Sequence, residues 1–142
     1  MVKEEKNGTT ALDLAAFGEQ LKTAQDEGIE VEIKHPSGDP IGLKIWVAGP
    51  DSDRQRKARQ AAQNARIRAR RMAPLTAAEQ EVETAKILAA STLSWEWYNG
   101  LTFNGAVPDL TEETAASLYR KLPFVREQVD FAAADRGGFT KA

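Results

Sequence analysis

Apolar positions along the chain follow two different periods, and the changes of period divide it into elements. Leu12, Ala15 and Ala16, with Leu14, Phe17 and Leu21, recur at helical spacing up to Glu27-Gly28, which predicts a helix over 10–27 with Gly28 as its stop. Ile29, Val31 and Ile33 then alternate with Glu30, Glu32 and Lys34. Ile41, Leu43, Ile45 and Val47 alternate in the same way beyond His35-Pro36-Ser37-Gly38-Asp39-Pro40. Two half-buried strands around a Pro/Gly turn make a hairpin, and a lone hairpin is marginal in water, so its apolar face must rest on a helix or a partner.

Helical spacing returns after Ala48-Gly49-Pro50. Asp51 or Ser52 is placed to cap a helix beginning near Arg54, and Ala58, Ala61, Ala62, Ala65, Ala69 and Met72 form one small-residue stripe on it. Such a stripe lets another helix approach closely. Pro74 interrupts the pattern. Thr76-Ala77-Ala78-Glu79 is a capping box for a further helix with Val82, Ala85, Leu88, Ala89 and Leu93 as its buried side. That pattern runs into Trp95, so Gly100 is expected to cap this helix, with a short Asn-Gly hairpin as the lesser alternative. Thr111 opens a helix burying Ala115, Leu118 and Leu122, and Pro123 begins a last one with Phe124, Val125, Val129, Phe131 and Ala132 on its apolar side, ended by Gly137-Gly138. The fold class expected is mainly α with a small N-terminal β-hairpin (α+β), as helical pairs around a small core. Residues 1–9 read as a frayed start and 10–142 as a single domain, with helix and hairpin over 10–53 and the helical part over 54–136.

Composition narrows the functional classes. The chain has 142 residues, 42% of them hydrophobic, with no cysteine and one histidine, His35, in a turn. Thiol nucleophiles and thiolate metal sites are excluded, and little remains for imidazole chemistry. No catalytic residue, cofactor or metal site is expected, and the protein is read as a non-enzyme. Gly38-Asp39-Pro40-Ile41-Gly42 lacks the Lys-Ser or Lys-Thr of a phosphate loop. Asp51-Ser52-Asp53 reads as a helix cap, since a calcium loop needs ligands over about twelve residues. Glu79, Glu81 and Glu83 read as a solvated, dipole-matched first turn. No run reaches the roughly 18 apolar residues of a membrane span, and Met1 to Lys6 lack the apolar core of a secretion signal, so a cytoplasmic location is expected.

Charge is unevenly placed. Residues 1–53 carry five Lys and eleven acids, residues 54–72 carry eight Lys or Arg and no acid, and residues 73–142 carry six bases and ten acids. The basic block, with Arg54, Arg56, Arg59, Arg66, Arg68, Arg70 and Arg71, could grip a phosphate backbone, which makes a small nucleic-acid-binding regulator the rival reading. Against it, the whole chain is acidic, the cations surround the helix, and no aromatic residue lies among them. Pairing with the acids of residues 1–53, inside the chain or between subunits of a homo-oligomer, is the plainer use, and an acidic protein partner is the third. Trp95, Trp97, Tyr98 and Phe103 form a ring cluster that reads either as a local core plug or as interface anchors.

The order of these pieces resembles the phage tail assembly chaperones of long-tailed phages and prophages. The likeness is carried by Gly28-Ile29-Glu30-Val31, the His35–Pro40 turn and Gly49-Pro50-Asp51-Ser52 before a basic helix. It continues through Trp95 to Gly105, Leu118 to Val129 and a terminal Asp135 to Phe139. It spans roughly residues 10–140, and no single piece is diagnostic. The resemblance implies a protein of the bacterial host cytoplasm that binds the tape measure protein, recruits major tail tube subunits and is absent from the mature virion. It also implies a longer form made by programmed frameshift, with Gly137-Gly138-Phe139 as a flexible joint. Trp95, Trp97, Tyr98 and Phe103 are the expected partner contacts, with Leu118, Tyr119, Phe124 and Val125 as a second patch.

Overall fold

Residues 13–69 and 72–140 are described by the structure, a computed structural model. The expected frayed start, residues 10–12 of the first predicted helix, and Arg70 and Arg71 of the basic block lie outside the described residues. The order of elements is α1 (Leu14–Glu27), β1 (Ile29–Lys34), β2 (Pro40–Val47), α2 (Asp53–Arg68) and α3 (Ala77–Ser91), then β3 (Thr92–Trp97), α4 (Glu112–Lys121), α5 (Pro123–Ala134) and a 3-10 turn over Arg136–Thr140. The architecture is mixed, with five α-helices among the described residues and one antiparallel sheet of order β1-β2-β3.

Local signals place most boundaries. Gly28 ends α1 at φ +90, a left-handed conformation that glycine adopts without a Cβ clash. The hairpin forms as its alternation predicts, with Ile29 opposite Val47 and Val31 opposite Ile45. Ser52 is the residue that caps α2, accepting from the Gln55 N–H at 3.2 Å, and the Thr76–Glu79 capping box is complete on α3. Pro123 opens α5 with its missing N–H at a position that has no intrahelical partner.

Two expectations are corrected. The third helix stops at Ser91 and does not run into Trp95: Thr92–Trp97 is a strand, paired with β2 so that Leu43 faces Trp97 and Ile45 faces Trp95. Leu93, Trp95 and Trp97 alternate with Ser94 and Glu96, and pairing with a strand some fifty residues earlier selects this period over the helical one. Asn99 and Gly100 accordingly do not cap a helix. Both have positive φ and Leu101 N–H donates to Tyr98 O at 3.2 Å, a tight turn, and Asn104-Gly105 makes a second one between Phe103 and Ala106. The second correction concerns the C-terminus. Phe139, expected in a flexible joint, is buried, and Arg136 grips Asp51 through Nε (2.7 Å) and Nη2 (2.9 Å).

The core lies between the inner sheet face and α3, α4 and α5. Ile33, Leu43, Ile45 and Val47 of the hairpin meet Ala85, Leu88 and Ala89 of α3, Ala115, Leu118 and Tyr119 of α4, and Val125 and Val129 of α5. Tyr119 is fully enclosed; its hydroxyl bonds Thr92 Oγ1 at 2.7 Å, and burial pushes its phenol well above the ordinary range. Outside this core the apolar stripes were only partly used. Phe131 is 76% exposed, Leu14 81% and Met72 95%, although each lies on a predicted apolar side.

Candidate partner-binding groove

Helix α2 is fastened most firmly at its first turn. Its sequence, DRQRKARQAAQNARIR, offers only alanine methyls and Ile67 for burial, and Gln55 is its one buried residue. Ser52 Oγ donates to Gly49 O at 2.6 Å while capping the helix. Gln55 Nε2 donates to Ala48 O at 3.0 Å and to Ala133 O at 3.2 Å, which ties the first turn to the end of β2 and to α5. Gln25, also fully buried, holds the preceding loop: its Nε2 donates to Asp51 Oδ2 at 3.1 Å, and its Oε1 accepts from the Asp51 N–H. The pKa of the Asp51 carboxyl is lowered to about 2, first by the Arg136 hydrogen bonds and then by Gln25, against the opposing effect of burial.

Beyond Gln55, α2 lies along α3 without filling the space between them. Ala58 and Ala62 are half-buried, whereas Ala61, Ala65 and Ala69 are exposed. These five alanines face Leu75, Val82, Ile87 and Ala90 across an open groove of about 500 Å³. Its floor is small and apolar, so a foreign helix could seat its backbone close to α2, as small-residue stripes allow. Arg66 bridges the walls through both oxygens of Glu83, with Nε to Oε2 at 3.0 Å. That pair is partly exposed and contributes at most about 1 kcal/mol, so it can rearrange at low cost. Lys86 and Glu112 complete the rim.

The basic helix therefore has a specific layout. Arg59 donates to Gln55 Oε1, Arg54 to Ala90 O at 3.4 Å, and Arg66 is engaged by Glu83. Arg56 lies close enough to Asp51 to help lower its pKa. Among the described residues, no ion pair links Arg54, Arg56, Arg59, Arg66 or Arg68 to an acid of residues 13–53; Glu4 and Glu5 of the expected acidic block lie outside the described residues. Asp53 and Asp26 are matched instead by Lys22, whose ammonium they hold above its ordinary pKa.

The aromatic cluster is divided by the sheet. Trp95 and Trp97 lie on its inner face, edge to face at 5.7 Å, half-buried against the core together with Phe103. Trp97 Nε1 is buried with no acceptor among the described residues. Tyr98 turns to the outer face, where its hydroxyl donates to Glu32 and Lys44 lies 5.7 Å from its ring. The expected second patch is corrected: Leu118, Tyr119 and Val125 are core residues at 0–1% exposure, and only Phe124 keeps partial access. A helix stripe tells which side is apolar, and here that side met the sheet.

Two surface aromatics were not read as surface: Trp46 was not singled out, and Phe131 was expected on a buried side. Trp46 stands half-exposed at the centre of the outer sheet face, on the polar phase of its strand. Phe131 sits with Val31, Pro36 and Phe124 in a shallow apolar depression. The phase of Trp46 in the alternation was the available signal; nothing local marked Phe131. Among the described residues, no group of His, Cys, Asp or Glu is arranged to hold a metal ion, and no helix is long and apolar enough to cross a membrane. No family model, curated protein or solved structure matches the chain.

Proposed function

We propose that this protein is a non-catalytic assembly chaperone of the phage-tail type, which holds a helical segment of a tape measure protein in the α2/α3 groove and presents that complex to tail tube subunits in the bacterial cytoplasm. The observation that carries the reading is the alanine-floored groove left open between two helices, in a chain whose ordered motifs resemble that family. A chaperone of this kind needs an apolar stripe to cover a partner's helix and no reacting group. The weak intrinsic packing of α2 suits the task, since a wall held mainly at its first turn adapts to the helix it receives.

The test is co-expression with a tape measure protein. Ala65→Trp places an indole in the groove at an exposed position, where the helix-propensity loss is about 0.5 kcal/mol. The variant should melt within a few degrees of the wild type and should no longer co-purify with the partner. Retained co-purification removes the groove from the proposal. A gene neighbourhood without a tail tube gene and a very long tape measure gene removes the family assignment.

A further inference from the structure

The two edges of the sheet are treated differently. Tyr98 N–H donates to Gly42 O at 2.8 Å, which fixes the phase of the β2–β3 ladder: Lys44 and Glu96, then Trp46 and Ser94, turn their backbone groups toward each other. The N–H and C=O of Trp95 and Trp97 therefore point away from β2. Among the described residues nothing bonds to them. On the opposite edge the outward groups belong to Glu30, Glu32 and Lys34, and there Gln128 of α5 acts as a substitute strand. Its Oε1 accepts from Lys34 N–H at 2.9 Å and its Nε2 donates to Lys34 O at 2.8 Å. The β1 edge is capped by a side-chain amide at Lys34, whereas β3 carries no such cap among the described residues and is left as a template for pairing.

We propose that the outer edge of β3 is a second docking site, which takes an extended segment of a partner whose residues alternate apolar and basic. The apolar phase is set by the inner face, where the added side chains would lie beside the half-buried rings of Trp95 and Trp97. The basic phase is set by Glu96, the acid that β3 itself presents on the outer face, since Lys44 across from it is already drawn to Glu30 at 4.0 Å and to the Tyr98 ring. An acid placed beside Glu96 would meet a like charge directly across the ladder. Backbone pairing supplies the attachment and the alternation supplies the choice of partner. The site lies on a different element from the α2/α3 groove and does not depend on it.

A synthetic peptide of about eight residues, the length of an ordinary strand, with Val and Lys alternating, tests the site on the full chain by titration followed in amide NMR spectra. Saturable shifts and slowed hydrogen exchange at the amides of Trp95 and Trp97 are expected. The same peptide N-methylated at every residue cannot donate to the edge, and it should bind at least about tenfold more weakly. A Val/Glu peptide should weaken similarly, and Glu96→Lys, at an exposed position, should reverse that preference. Equal binding of the N-methylated peptide, shifts confined to α2 and α3, or no binding of the Val/Lys peptide overturns the proposal. So does protection of the Trp95 and Trp97 amides that grows with protein concentration without peptide, which would give the edge to a second copy.

Discussion

Replacing Gln55 with Leu isolates what holds α2 to the molecule. The two side chains are close in volume, so the substitution leaves packing nearly intact and removes the amide. Nε2 serves two carbonyls, Ala48 O past the end of β2 and Ala133 O in the last turn of α5, where the helix supplies no donor. Each buried carbonyl left without a donor costs about 1–3 kcal/mol, and new apolar contact from Leu recovers part of it, so the loss is roughly 2–4 kcal/mol. With a urea dependence of about 2 kcal/mol per molar for a domain of this size, the unfolding midpoint should fall by about 1–2 M. Trp46, Trp95 and Trp97 all lie in the sheet and report the transition by fluorescence. The slope should stay constant, and amides of α2 should exchange faster than those of α3. A midpoint within about 0.3 M of the wild type would refute the view that this amide is the anchor.

Other consequences are more local. Leu118→Ala should cost about 3 kcal/mol, as cavities in a closed core do, and partner binding measured on the folded fraction should be unchanged, because Leu118 is enclosed and offers no contact. Acid should loosen the C-terminal turn through Asp51. Its pKa is lowered from 3.8 to about 2, so its contribution is complete above the ordinary value and is lost as pH falls through about 2. The pair is well exposed, which limits the effect to under about 1 kcal/mol, and Arg136→Ala should flatten that part of the pH–stability curve. Stability that rose as pH fell from 4 to 2 in the wild type, but not in Arg136→Ala, would contradict the sign of this linkage.

The parts of the fold that were legible in the sequence are those with a local cause. Gly28, the capping box at Thr76, Pro123 and the strict alternation of the hairpin each act over a few residues, and each appears where expected. β3 was hidden because no glycine or proline separates it from α3. Thr92 Oγ1 still donates to Leu88 O at 2.7 Å, as a helical residue would, while its backbone has turned extended. Only pairing with distant β2 makes Leu93 to Trp97 a strand. The candidate site shows the same division. The alanine stripe of α2 was visible as a pattern, but that it would be left uncovered depends on α3, α4 and α5 completing the core without it. Tyr119 and Phe131 show the converse, since a stripe names an apolar side without saying which of its margins meets the sheet.

Amide hydrogen exchange of the complex with its co-expressed helical partner examines the central idea most directly. Protection gained on binding should concentrate on residues 58–69 of α2 and 82–90 of α3, the two walls of the alanine-floored groove. A complex that leaves both walls exchanging at their free rates would show that the partner is held elsewhere and that the groove is not the working surface of this protein.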